Sequence, residues 1–142
     1  MTNQSDRAAA FRALHLPGTP LVLPNAWDAV SARLVEEAGA AAVATTSAGL
    51  VRALGAPDGE RVDRDAALEA VARIARAVTV PVTADIESGY AEDAAGVAAT
   101  VRAVLAAGAV GVNIEDAVRR RRRSGRSAAG PRRAGRADRR RP

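Results

Sequence analysis

The feature that most restricts the fold of this chain is a regular alternation of short apolar runs with longer segments of helical periodicity. The apolar runs cover residues 21–27, 41–47, 80–87 and 109–116. The helical patterns cover residues 5–15, 28–39, 66–78 and 92–108. The runs are continuously apolar, which is typical of parallel strands that helices cover on both faces. The order therefore predicts an α/β fold with a parallel sheet.

The joints between these segments point to one supersecondary unit used repeatedly. A helical pattern ends in Ala-Gly-Ala before an apolar run twice, in EEAGAAAV (36–43) and in LAAGAVGV (105–112). Glycine commonly follows the last residue of a helix. We interpret residues 48–65 as a polar connection outside this repeat. The helical spacing predicts inward-facing side chains at Val30, Leu34, Val35, Ala38, Val97, Val101, Val104 and Leu105, and Ser5 is predicted to cap the first helix.

Composition excludes several classes of protein. The 142 residues suffice for one domain and contain no cysteine, so disulfides, thiolate metal sites and a cysteine nucleophile are excluded. No apolar run approaches the roughly 18 residues that a membrane span needs, and the N-terminal residues are polar. We therefore expect a cytoplasmic protein without a membrane partner.

The charge is divided unevenly along the chain. All 21 basic residues are arginine, which gives a formal net charge of +5. Residues 1–118 carry 9 Arg and 15 Asp or Glu, a balance of −6, whereas residues 119–142 carry 12 Arg and 1 Asp, a balance of +11. The sequence thus predicts an acidic domain, residues 1–118, followed by a basic tail, residues 119–142.

Acidic residues end the third and fourth predicted strands. Asp85 and Glu87 are two residues apart, so on a strand both side chains would leave the same face. Glu115 ends the next strand, and ligands of parallel α/β folds bind beyond the carboxyl ends of the strands. Three carboxylates at one edge repel unless a cation neutralises them, and oxygen ligands favour Mg²⁺, with Mn²⁺ as a substitute.

Simpler roles are also open for some of these residues. Acids at strand ends often cap the following helix, which is the interpretation we favour for Asp93 and Asp116. His15, the only histidine, lies away from the strand ends and is interpreted as structural or exposed. Trp27 either lines a pocket or packs against the fold. No G-x-G-x-x-G or Walker-type loop occurs, so a dinucleotide or P-loop nucleotide site is unsupported.

Four segments resemble the isocitrate lyase / phosphoenolpyruvate mutase superfamily. They are PNAWDAVSARLVEEAG, TTSAGLVRALGAPDG, VPVTADIESGY and AGAVGVNIED, in this order between about residues 18 and 116. The resemblance implies the first half of a TIM-type (β/α)₈ barrel. It also implies a Mg²⁺-dependent lyase or mutase that acts on C–C or C–P bonds of 2-oxo or enolpyruvate-type acids. Intact members are expected to be homo-oligomers.

The resemblance also implies roles for particular residues. Asp85 would bind the metal directly, and Glu87 and Glu115 would hold it through water molecules. Thr46, together with the backbone N–H groups of Ser47 and Ala48, would bind the substrate carboxylate. In the same assignment Asp58 is the carboxylate of a loop near the metal, Thr46 and Asp58 are the catalytic candidates, and Trp27 is a substrate-binding candidate.

This chain departs from the lyase branches of the family. Those branches carry a cysteine in a loop flanked by lysine and glycine after the fourth strand, and this chain has neither cysteine nor lysine. The departure favours mutase-like members, such as a carboxyvinyl-carboxyphosphonate phosphorylmutase-like protein, over isocitrate or methylisocitrate lyase. The substrate is not readable from the residues.

The basic tail has two interpretations. From residue 119 onward only Arg, Ser, Gly, Ala, Pro and Asp occur, and a (β/α)₈ barrel takes roughly 200 or more residues. One hypothesis is that the tail is a disordered, out-of-frame segment that replaced the second half of the barrel, which would leave activity doubtful. The alternative is a non-enzymatic protein whose tail binds nucleic acid or anionic surfaces without sequence specificity, with an affinity that falls steeply with salt.

The frameshift hypothesis predicts the content of the gene. Read in all three frames beyond codon 118, the DNA is expected to encode four further βα units in one of the alternative frames. A verified continuous reading frame through Pro142, with no such units in the other frames, would rule out the frameshift.

Overall fold

A computed structural model describes residues 3–55 and 62–116 of the chain. The elements, in chain order, are α1 (Gln4–Ala13), β1 (Asn25–Ala26), α2 (Ala29–Glu37), β2 (Val43–Thr45), α3 (Ser47–Ala53), α4 (Arg64–Ala77), β3 (Val82–Asp85), α5 (Ala94–Ala106) and β4 (Gly111–Asn113). The predictions made for Asp58 and for the basic tail lie outside the described residues. Within those residues, every helix is too short or too polar to cross a bilayer.

The sheet has the topology that the sequence predicts. Four strands pair in the order β1-β2-β3-β4, and every pairing is parallel. Each strand reaches its neighbour through a connection that contains at least one helix, as parallel pairing requires. The predicted parallel α/β fold is therefore confirmed.

The core is built from small aliphatic side chains around β2, β3 and α4. Val43 and Val82, on adjacent strands, are almost fully buried, and Val71 and Ile74 of α4 pack into the same cluster. Alanines fill much of the remaining space. A core of this kind needs close approach of helix to sheet, because no aromatic ring is fully buried among the described residues.

Several predicted boundaries differ from the structure. The strand predicted over residues 21–27 is reduced to β1, and Pro20 and Pro24, which lack an N–H to donate, precede it. Helix α3 covers residues 47–53 and therefore occupies the start of the predicted polar connection, residues 48–65. Asn3 rather than Ser5 caps α1, because its side chain accepts the Asp6 N–H in a reciprocal capping box.

The predicted inward face of α2 is partly wrong. Val30 and Leu34 are 68% and 61% exposed, whereas Ala32 is fully buried. A short alanine side chain lets the helix approach the sheet closely, so the larger residues turn outward. Leu105 of α5 is likewise 44% exposed, while Val104 beside it is buried.

Helix α1 is tied to the amino-terminal edge of the sheet. The side-chain amide of Gln4 donates hydrogen bonds to the carbonyl oxygens of Leu105 at 2.6 Å and Ala109 at 2.9 Å. Phe11 lies over Gly111, where an added Cβ would come within 2.8 Å of the ring. Helix α1 thus covers the edge opposite to the one where ligands bind in parallel folds.

Glu36 joins the end of α2 to the start of the third strand. One carboxylate oxygen accepts hydrogen bonds from the Thr79 hydroxyl at 2.6 Å, the Thr79 N–H at 2.8 Å and the Val80 N–H at 3.2 Å. The side-chain hydrogen bond from Thr79 is the main cause that lowers the pKa of Glu36 below its ordinary value. The ionised form therefore stabilises the fold.

We predict that Glu36→Gln lowers the free energy of unfolding by about 1 kcal/mol at neutral pH, a value discounted for partial exposure. Because the folded pKa is depressed, this contribution is present above the unfolded pKa of about 4.3 and is lost as the pH falls through the folded pKa. Urea unfolding of both proteins across that range measures the difference.

The matched control is Glu37→Gln, which removes the neighbouring exposed carboxylate and should change stability by less than about 0.5 kcal/mol. A difference between wild type and Glu36→Gln that does not vary with pH would contradict this assignment.

Candidate active site at the carboxyl edge of the sheet

Polar residues gather where the parallel strands end. Asp85 is the last residue of β3 and pairs in register with Asn113, the last residue of β4. Thr46 follows β2 directly and is the N-cap of α3. These residues bring a carboxylate, an amide and a hydroxyl to one edge of the sheet, the edge at which parallel α/β folds bind ligands.

The pairing of β2 with β3 ends earlier than the pairing of β3 with β4. The last paired residues of β2 and β3 are Ala44 and Thr83. Between β3 and β4, backbone hydrogen bonds continue from the Ile86 N–H to the Asn113 oxygen, and from the Glu115 N–H to the Glu87 oxygen. Asp85 therefore lies beyond the last residue of β3 that pairs with β2.

The carboxylate of Asp85 connects the start of α3 to the turn that follows β3. Its Oδ2 accepts a hydrogen bond from the Ser47 N–H at 2.8 Å, and its Oδ1 accepts one from the Glu87 N–H at 3.0 Å. The residue is partly buried. Each carboxylate oxygen has room for a second interaction, so the two backbone bonds orient the group and leave capacity for a ligand.

The predicted strand position of Glu87 is wrong. Strand β3 ends at Asp85, and Glu87 has a left-handed backbone with φ of +48°. The two-residue alternation of a strand therefore does not reach Glu87. It gives no reason to place the side chains of Glu87 and Asp85 on the same face. Glu115 is exposed beyond the end of β4, and its N–H donates to the Glu87 carbonyl at 2.7 Å.

A divalent cation fits the donor chemistry of this edge. Across residues 3–55 and 62–116, no three His, Cys, Asp or Glu side chains are grouped closely enough to form a ready metal site. Mg²⁺ commonly keeps several waters and uses only one or two carboxylates. Asp85 offers an oriented carboxylate of this kind. We therefore still predict that Asp85 binds the cation directly and that Glu87 and Glu115 bind it through water.

Of the predicted substrate-binding residues, Ser47 contacts Asp85 directly. Ser47 and Ala48 begin α3, but the Ser47 N–H already donates to Asp85. The side chain of Thr46 makes no capping hydrogen bond to its helix. Trp27 is 45% exposed, and an added Cβ on Gly49 would meet both Trp27 and Thr46. The structure thus brings Trp27, Thr46 and Ser47 into one neighbourhood.

The structure also shows the positions of Asp93 and His15. Asp93 accepts the Gly96 N–H at 2.7 Å and caps α5, as predicted. His15 is exposed just beyond α1, where its ring packs edge-on against Phe11. Asp93 thus acts as a helix cap, and His15 lies beside α1, away from Asp85.

Three polar residues near Asp85 were missed from the sequence. Thr45 is buried and its hydroxyl accepts the Asp85 N–H at 2.9 Å, while Asn113 is the register partner of Asp85. Ser88 has a buried hydroxyl with no hydrogen-bond partner in the described part of the chain. The sequence TTS places hydroxyl side chains at the end of β2. Only the register of the strands shows that Thr45, rather than Thr46, contacts the Asp85 N–H.

The chain is similar to known proteins over most of its length. The family model for phosphoenolpyruvate phosphomutase matches residues 11–137, which extends past residue 116, where the quoted motifs end. A solved structure of a candidate lyase/mutase from Burkholderia cenocepacia J2315 is 47% identical, with a TM-score of 0.77 over 82% of this chain and 41% of that one. Oxaloacetate decarboxylase of Rhodopseudomonas palustris (strain TIE-1) is 36% identical over 78% of this chain and 38% of its own length.

A third similar protein was solved with ligands. Phosphonopyruvate hydrolase in complex with oxalate and Mg²⁺ is 28% identical, with a TM-score of 0.74 over 81% of this chain and 40% of that one. This chain spans about 40% of the length of the curated relatives that it matches.

The turn that follows Asp85 yields a prediction about stability. Gly89 has φ of +84°, and a Cβ there would lie 2.8 Å from Val97 Cγ2. We predict that Gly89→Ala costs about 1 kcal/mol for the left-handed backbone plus a further 1–3 kcal/mol for the contact with Val97. Urea unfolding measures the sum.

Gly18→Ala is the matched control, because Gly18 also has a positive φ (+78°) but open space around its Cβ position. This variant should lose only the backbone component. Equal losses in the two variants would show that Val97 does not restrict the turn.

Proposed function

The chain belongs to the phosphoenolpyruvate phosphomutase family, and from this membership we propose that its carboxyl edge binds Mg²⁺ together with a small 2-oxo or enolpyruvate-type carboxylic acid. The observation that carries the proposal is the orientation of Asp85. Its carboxylate is held by two backbone N–H groups at the carboxyl edge, beyond the last paired residues of β2 and β3.

The proposed roles follow from position. Asp85 binds the cation directly, and Glu87 and Glu115 bind it through water. When bound, the cation stabilises negative charge that develops on the oxygen of a 2-oxo acid. Asp58 is proposed as a further carboxylate that approaches this site from its loop.

The substrate carboxylate is proposed to bind at the start of α3. The Thr46 hydroxyl and the Ala48 N–H supply donors, and Trp27 limits the space beside them. The Ser47 N–H already donates to Asp85 at 2.8 Å, so its predicted contact with substrate requires that this donor be shared. The same backbone group then links the cation ligand to the acid.

Members of this family include lyases, mutases and hydrolases, and we propose that the protein of which this chain forms part makes or breaks a C–C or C–P bond. The relative with oxalate and Mg²⁺ supports an acid of this size and charge. Action in the cytoplasm and assembly into a homo-oligomer belong to the same proposal.

The test is a titration of the 142-residue chain with Mn²⁺, which replaces Mg²⁺ at oxygen sites and is detected by electron paramagnetic resonance. We predict that Asp85→Asn weakens Mn²⁺ binding at least tenfold, because a neutral amide replaces the direct anionic ligand.

The control for charge is Asp93→Asn, which removes one carboxylate from the cap of α5 and keeps a good capping residue. Its Mn²⁺ affinity should match that of wild type. If both variants bind Mn²⁺ as wild type does, Asp85 is not a metal ligand and the proposed site is wrong.

A further inference from the structure

We propose that Thr45 is a positioning residue for Asp85, a role that rests on the proposed cation site. Thr45 is the last residue of β2 and is 2% exposed. Its hydroxyl oxygen accepts a hydrogen bond from the backbone N–H of Asp85 at 2.9 Å. A buried hydroxyl thus contacts the main chain of the residue proposed to bind the cation.

The reason for a side chain at this point lies in the end of the strand pairing. In a parallel ladder, the N–H groups of one strand donate to carbonyl oxygens of its neighbour. The pairing of β2 with β3 ends at Ala44 and Thr83, so Asp85 lies beyond the last paired residue. The Thr45 hydroxyl takes the place of a backbone carbonyl and holds Asp85 beside β2 beyond the end of the ladder.

This contact completes a three-point attachment of Asp85. Thr45 fixes its backbone, and the N–H groups of Ser47 and Glu87 fix its two carboxylate oxygens. Without the hydroxyl, the partly buried N–H of Asp85 loses its partner, and a buried unpaired donor is costly enough to shift the local backbone. The carboxylate would then no longer be held where Ser47 reaches it.

The effect on metal binding should resemble that of other residues that orient a ligand without touching the metal. Changes at such positions typically weaken metal affinity 10–100-fold. Because Asp85 keeps its charge and its contact with the Glu87 N–H, we expect the lower end of that range for Thr45.

The test compares three variants of the 142-residue chain. Thr45→Val keeps the shape of the side chain and removes the hydroxyl, whereas Thr45→Ser keeps the hydroxyl. Thr100→Val is the matched control, because Thr100 is 1% exposed and its hydroxyl donates to the Gly96 carbonyl within α5. Mn²⁺ affinity is measured for each, with circular dichroism as the check on folding.

A second measurement, hydrogen exchange at the Ser47 amide, reports the position of the Asp85 carboxylate without any metal. We expect Thr45→Val to bind Mn²⁺ about tenfold more weakly and to lose protection at Ser47. Thr45→Ser and Thr100→Val should behave as wild type in both measurements.

The outcomes separate this inference from the proposed function. Wild-type affinity and Ser47 protection in Thr45→Val would overturn the role of Thr45 and leave the cation site standing. An equal loss of affinity in Thr45→Val and Thr100→Val would also overturn it, since general destabilisation would explain the effect. Failure of the wild-type chain to bind Mn²⁺ would overturn the cation site and, with it, the inference.

Discussion

The arrangement of the candidate site depends on the point at which β2 and β3 stop pairing. Pairing on the β2 side ends at Thr83, while hydrogen bonding on the β4 side continues past Asp85. The backbone N–H of Asp85 therefore lies beyond the ladder, and the Thr45 hydroxyl accepts its hydrogen bond. An earlier end of the pairing would leave Asp85 without this support.

The hydrogen bonds around Asp85 explain how an acid can be placed at the end of an apolar strand. Burial of a carboxylate is costly unless hydrogen bonds compensate it. Asp85 receives two backbone N–H groups, one from the first residue of α3 and one from the turn that follows β3. The short helix α3 and the left-handed turn at Glu87 are therefore part of the site as well as of the fold.

Much of the fold was predictable because its signals are local. Continuous apolar runs and glycine stops predicted a parallel α/β order, and Asp93 was recognised as a cap from its position before α5. The failures arose where tertiary packing decides. Ala32 rather than Val30 or Leu34 faces the sheet, and Asn3 outcompetes Ser5 because Asp6 completes the capping box. Helix α3 was hidden by the glycine and proline residues that follow it.

The site was predictable only in part. Asp85 could be found because it follows an apolar run at the edge where parallel folds bind ligands, whereas Thr45 could be found only from the register that brings it to the Asp85 N–H. The predicted placement of Glu87 required the third strand to continue to residue 87, but β3 ends at Asp85. The residue type gives no indication of the left-handed conformation of Glu87, because glutamate rarely adopts it.

The most direct measurement of the central claim is an anomalous difference map from crystals of the chain grown with Mn²⁺ and oxalate. We predict one Mn²⁺ peak within direct ligand distance of an Asp85 carboxylate oxygen, with oxalate between the ion and the start of α3. A bound ion that makes no contact with Asp85, or oxalate at another edge of the sheet, would contradict it.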